Sequence, residues 1–185
     1  MLKSASAQLT PIPAPSPGAE AAAAPAVLPI DRVQQDETNW CWAACCLMVF
    51  SAAGQTADKQ CDLATKLFGG QCCNSPDSCT CDQGAWPNDA YAAYQYNSQK
   101  VQGTVPIETI KQEIDANRPV EVYLLWNGGA AAHVVLVTGY YDDGSLDVLD
   151  PANDGKTGQW TYDQLCSAFG NGNWEMTWTG IQRAS

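Results

Sequence analysis

Histidine is almost missing from this sequence: there is one, His133, in 185 residues. Any chemistry that needs an imidazole must therefore use that residue. Positive charge is scarce too. Lys and Arg number 9 against 20 Asp and Glu, a net charge of -11. Binding a phosphate backbone needs a basic face, so nucleic acid is excluded as the main partner. The same balance disfavours a membrane surface, and the acidity itself reads as solubility. No apolar run approaches the roughly 20 residues of a membrane helix. The N-terminus lacks the apolar stretch of a signal peptide, so no Sec-type address is expected in this chain. Large apolar groups are also few in residues 1–29, an Ala-rich stretch punctuated by six prolines from Pro11 to Pro29. Such a segment cannot bury enough surface to offset its ordering entropy. Residues 1–29 are therefore read as a disordered tail or linker, and residues 30–185 as one domain.

Cysteine, by contrast, is abundant. There are nine: Cys41, Cys45, Cys46, Cys61, Cys72, Cys73, Cys79, Cys81 and Cys166. Setting one aside as a nucleophile leaves an even number, which allows up to four disulfides and suggests an oxidising destination. The missing signal peptide points the other way. A zinc site at Cys72, Cys73, Cys79 and Cys81 is the alternative. Thiolate zinc sites come as paired short-spaced hairpins, and an adjacent pair followed by Cys-Thr-Cys does not match. Disulfides are the preferred reading.

The apolar stretch from Cys41 to Ala53, closed by Gly54, predicts a buried helix. Thr56 is placed to cap a second helix from about Asp58 to Phe68, ended by Gly69-Gly70. Residues 69–86 read as a loop. Pro87 opens a third helix to about Tyr96, and Pro106 opens a fourth over Ile107–Ala116. The second half has strand character. Pro119–Trp126, His133–Tyr141 and Ser145–Asp150 predict strands, the last two joined by a hairpin at Asp142-Asp143-Gly144. Gln159–Thr161 and Trp174–Thr179 predict two more, with a short helix near Tyr162–Ala168 between them. Helices first and antiparallel strands later imply an α+β fold.

A thiol nucleophile must be held as thiolate, and a helix N-terminus and a nearby imidazolium both favour that form. Cys41 starts the buried helix, between Trp40 and Trp42. His133 begins a strand just after the Gly128-Gly129 break. Asp150 ends the antiparallel neighbour of that strand, so the two emerge at one sheet edge. There a carboxylate can fix the tautomer and orientation of the imidazole. Six residues before Cys41, Gln35 could donate to an oxyanion, with the Cys41 backbone N–H as second donor. Gln34 is adjacent, and spacing alone does not choose between them.

The stretch Gln35-Asp36-Glu37-Thr38-Asn39-Trp40-Cys41-Trp42-Ala43-Ala44 resembles the nucleophile motif of papain-like cysteine peptidases. It is most similar to the bacterial branch with the AvrRpt2-type effectors and the C39-like peptidases. The likeness extends to Gly128-Gly129 ahead of His133-Val134-Val135, to Asp150-Pro151, and to the segment holding Cys61, Lys66-Leu67-Phe68-Gly69 and Cys72-Cys73-Asn74. It covers roughly residues 33–178. The resemblance implies a papain-like fold with a cleft between a helical half and a sheet half. It implies Cys41 as nucleophile, His133 as base, Asp150 as the orienting residue and Gln35 at the oxyanion. The implied substrate is a polypeptide, cleaved by a monomer without a cofactor or metal. A secreted effector role, with a host or activating protein as partner, follows by resemblance only. Three Ala between the glycine pair and His133, and the cysteine-rich loop, depart from the pattern. Two alternatives stay open: another amide acyl transfer by the same residues, such as deamidation, and a non-catalytic binding module on this fold.

Overall fold

The computed structural model describes residues 25–55, 58–129, 131–152, 155 and 157–184. Its first element is a two-residue strand, β1 (Ala26–Val27). Helix α1 (Cys41–Ala52) follows, and nine of its residues are buried, on all sides of the helix. A helix apolar all round belongs inside a core, and this one forms the centre of the helical layer. Helix α2 (Gln60–Phe68) begins after Lys59, whose backbone N–H donates to Asp62 at 2.9 Å, and ends at Gly69 with φ 76°. The expected cap, Thr56, lies outside the described residues. Helix α3 (Pro87–Ala93) starts at its proline, as anticipated. It gives way to β2 (Tyr96–Gln102), a strand the sequence reading did not foresee.

Helix α4 (Ile107–Asp115) leads to β3 (Val120–Trp126), and a short turn through Gly128 and Gly129 leads to β4 (Ala131–Tyr140). The expected hairpin joins β4 to β5 (Leu146–Leu149), and Gly144 takes φ 80° in its turn. Strand β6 (Gly158–Trp160), helix α5 (Tyr162–Cys166) and the long β7 (Gly172–Arg183) complete the chain. The strands pair antiparallel in the order β2-β7-β3-β4-β5-β6, with β1 added to the end of β4. The sheet thus starts before the expected boundary at residue 30: Ala26 pairs with Tyr140, Val27 pairs with Gly139, and Leu28 N–H bonds Thr138 O at 2.8 Å. Gly139 is what lets β1 come so close, because a Cβ there would meet Ala26 O and Val27 at 2.7 Å.

Alternation along β3 and β4 divides the core in two. Tyr123, Val134 and Leu136 face α1, α2 and α3, while Val122, Leu124, Val135 and Val137 face α4 and α5. The helices therefore cover both faces of the sheet, and the first three form the layer that carries Cys41.

Two disulfides tie the loop after α2, Cys61–Cys73 and Cys72–Cys81. Cys41, Cys45, Cys46, Cys79 and Cys166 are free. The count of eight cysteines beyond Cys41 allowed four bridges, and the structure forms two. Cys45 and Cys46 are instead wholly buried in α1 as small apolar groups, and burial pushes both thiols well above their ordinary range.

Candidate active site

Cys41 is the first residue of α1, and no side chain caps that helix end. Its position follows from how the preceding segment is held. Gln60, on α2 and 2% exposed, accepts from Asp36 N–H at 3.0 Å and donates to Gln34 O at 2.7 Å. The Gln35 backbone donates to Pro151 O at 2.8 Å. Arg32 Nε donates to Asp150 O at 2.6 Å, and another guanidinium nitrogen donates to Ala152 O. Residues 32–36 are thereby fixed to α2 on one side and to residues 150–152 on the other.

Gln35 lines the cleft, whereas Gln34 is exposed. The Gln35 amide lies against the chain, with Nε2 donating to Glu37 O at 2.8 Å and Thr38 O at 2.9 Å. Its Oε1 is buried without a hydrogen-bond partner.

Across the cleft, His133 sits near the start of β4, 5% exposed. Its Nε2 is 2.6 Å from Asp150 Oδ1, and the ring lines the same cleft as the Cys41 thiol. Burial alone would lower the imidazole pKa. The hydrogen bond to Asp150 and the favourable interaction with Cys41 outweigh burial and raise it to about 9. Asp150 is buried after β5, where Oδ1 also accepts from Ala152 N–H at 2.9 Å. Gly155 packs directly on that carboxylate: a Cβ there would lie 2.5 Å from Asp150 Cγ.

Gln35, Cys41, His133 and Asp150 all line one cleft of about 870 Å³. Its walls are mostly apolar, with Trp42, Tyr123, Trp126, Trp160 and Phe169 among them. Trp126 stacks on His133, ring centroids 5.1 Å apart and planes 23° from parallel. Trp126, Gln60, Arg32 and Gly155 escaped the sequence reading. For Trp126 a signal existed, since it precedes the Gly break ahead of His133. The other three act through contacts that only the fold creates. Among the described residues, Cys61, Asp62 and Cys73 come near enough together to suggest a metal site. Cys61 and Cys73 are joined as a disulfide, which leaves no thiolate there to ligate.

A thiol at a helix start, facing an imidazole that is itself held by a carboxylate, is the arrangement of a papain-like cysteine peptidase. The chain belongs to the Peptidase_C39 like family, which matches residues 27–180. Among solved structures it is similar to the peptidase domain of ComA, a bifunctional ABC transporter of Streptococcus involved in quorum sensing. That comparison gives a TM-score of 0.59 and 17% identity, and covers 83% of this chain and 98% of the other. It is likewise similar to a putative C39-like peptidase from Bacillus anthracis, with a TM-score of 0.58 and 16% identity, covering 87% and 99%. At these identities the likeness is one of fold. Among curated proteins, none matches the sequence. Family and fold together make this protein a papain-like cysteine peptidase.

Proposed function

We propose that Cys41, His133 and Asp150 act as a triad that hydrolyses peptide bonds through an acyl-enzyme. One observation carries this reading: His133, the sole imidazole of the chain, is paired with Asp150 at 2.6 Å in the same cleft that Cys41 lines. The Cys41 sulfur attacks the scissile carbonyl and the C=O electrons move onto oxygen. When the tetrahedral species collapses, the imidazolium gives its proton to the departing amine and Cys41 keeps the acyl group. With Nε2 bonded to Asp150, Nδ1 is the nitrogen that serves the sulfur and the leaving amine. Water then attacks the thioester, giving its proton to His133, and the carboxylic acid leaves. The Cys41 backbone N–H at the uncapped helix end is one oxyanion donor. Gln35 Nε2 is the second, once it exchanges a backbone carbonyl for the substrate oxygen. These steps need no cofactor.

The substrate is a polypeptide taken in extended form along the apolar cleft. Two disulfides support an oxidising destination, and among the described residues no helix is long and apolar enough to cross a membrane. The likeness of residues 35–44 to AvrRpt2-type effectors is what supports a secreted effector role. The test is N-terminal profiling of a denatured proteome treated with this protein or with Cys41→Ala. New N-termini are expected from the wild type only, because losing a nucleophile costs several orders of magnitude in rate. Equal cleavage by folded Cys41→Ala would refute the assignment. Unbroken chains carrying the small mass gain of glutamine hydrolysis would move it to deamidation.

A further inference from the structure

Helix α1 carries the nucleophile, yet no side chain caps its start. The residues around Cys41 are held instead by the loop that follows α2. Asn39 N–H donates to Asp82 Oδ1 at 2.7 Å, and Asn39 Nδ2 donates to Asp82 O at 3.1 Å. Trp40 Nε1 donates to Cys81 O at 2.8 Å, and Trp42 Nε1 donates to Gln83 O at 3.0 Å. Three consecutive loop residues thus hold the chain on both sides of Cys41. Both indoles are buried, so losing those carbonyls would leave two buried N–H groups unpaired.

That loop has no helix or strand to stiffen it. Its placement depends on Cys72–Cys81, a disulfide buried at both ends with Cys72 at 0% and Cys81 at 3% exposure. Cys72 is also tied to α2, its N–H donating to Thr65 Oγ1 at 3.2 Å. The other bridge, Cys61–Cys73, is open to solvent at Cys73 and joins residues that make none of the four bonds around Cys41.

We propose that Asp82 is a positioning residue for Cys41, and that the Cys72–Cys81 disulfide keeps it in place, making the loop a redox-controlled clamp on the nucleophile. The proposal rests on Cys41 being the nucleophile. A dithiol reductant transfers two electrons and two protons to the sulfurs of Cys72 and Cys81 and closes to its own cyclic disulfide. The loop then loses its cross-link and regains conformational entropy. Asn39, Trp40 and Trp42 lose their anchors, and the sulfur shifts relative to His133. A displacement of about 1 Å at a reacting atom can cost about 10²-fold in rate. The two redox demands oppose each other: Cys41 works as a free thiol, and Cys72–Cys81 works as a disulfide. Activity should therefore be greatest at intermediate potential and fall on the reducing side.

The test is a titration with reduced and oxidised dithiothreitol. Four quantities are followed: peptide hydrolysis, the rate of iodoacetamide labelling of the Cys41 peptide, the thermal midpoint, and the bridges open by mass mapping. Mapping is needed because Cys79 is also free and exposed. Opening Cys61–Cys73, or the double change Cys61→Ser with Cys73→Ser, should leave kcat within about threefold. Opening Cys72–Cys81 should lower kcat and Cys41 labelling by about 10²-fold while the chain stays folded. With both bridges intact, Asp82→Ala should lower kcat about tenfold with KM little changed, the scale of one charge-assisted hydrogen bond. Asp82→Asn, which keeps an acceptor oxygen, should recover most of that loss. Full activity and labelling in a folded chain with Cys72–Cys81 open would overturn the clamp. If that chain does not fold, the Asp82 series decides, and an Asp82→Ala protein with unchanged kcat and labelling overturns the proposal. Should the wild type cleave no peptide at all, the peptidase reading fails by itself, and Cys41 labelling still reports on the clamp.

Discussion

At the scale of single residues, His133 sets the pH behaviour. Its folded-state pKa lies above the unfolded value, near 9 against about 6.5. Its contribution to stability is therefore complete below about pH 6.5 and is lost as pH rises through about 9. The same proton is the one the proposed mechanism gives to the leaving amine. The kcat/KM profile should accordingly fall on its alkaline side near pH 9, and no other imidazole can supply that limb. Asp150→Asn removes the carboxylate charge and should move the limb to lower pH. Steady-state rates across pH 6–10 check both, and a limb that ignores Asp150→Asn would show that His133 is not the titrating group. Gln35 offers a second test. Gln35→Ala should cost about 10²–10³ in kcat with one oxyanion donor left, while Gln34→Ala should cost little. The reverse pattern would mean the wrong glutamine had been assigned. That Cys41, His133 and Asp150 come to one cleft could be read from sequence, because each stands near the end of an element whose pattern is strong. Which glutamine faces the cleft could not, because Gln60 decides it from 26 residues beyond Gln34.

At the scale of elements, most helices and the hairpin were legible, and the exceptions have physical causes. Strand β2 reads Tyr-Asn-Ser-Gln-Lys-Val-Gln, with no apolar alternation, and lies on the edge of the sheet where one side needs no partner. It exists because β7 offers a long pairing edge, running from Gly172 to Arg183. Strand β1 is two residues between prolines, below any local signal. Strand β3 holds the strongest local conflict. Glu121 points toward α1 at 0% exposure; Tyr91 donates to its Oε2 at 2.7 Å, and Oε1 has no partner. Burial raises its pKa to about 8, against the small opposing effect of the Tyr91 hydrogen bond. A carboxyl group that keeps its proton longer in the fold than in the unfolded chain costs stability as pH rises from its unfolded pKa, near 4.3, to about 8. Glu121→Gln should remove that dependence and make the protein more stable above pH 8, by an amount on the order of 5 kcal/mol at most. Urea unfolding at pH 5 and pH 8.5 measures it; an unchanged difference between the two pH values in the variant would refute the assignment.

At the scale of the molecule, β1 extends the sheet ahead of residue 30. Ala26 and Leu28 pack on the α4 side of the core, and β1 covers the end of β4 that β3 does not reach. A chain begun at Ile30 should therefore melt about 3–6 °C below one begun at Pro25. Equal midpoints by circular dichroism would show that β1 adds nothing. The pairing of the cysteines belongs to this scale too: counting gave an even number, but only the packing of α1 shows that two of them are core residues rather than bridge partners. The burial of α1 has one more consequence. The helix that presents Cys41, the proposed nucleophile, is also the most enclosed element of its layer, so it cannot open on its own while the rest of the molecule persists. In the language of cooperative folding units, Cys41 and the core belong to the same foldon. Heat or denaturant should then leave no population of half-active, locally frayed enzyme; each molecule keeps its whole activity until the moment it unfolds.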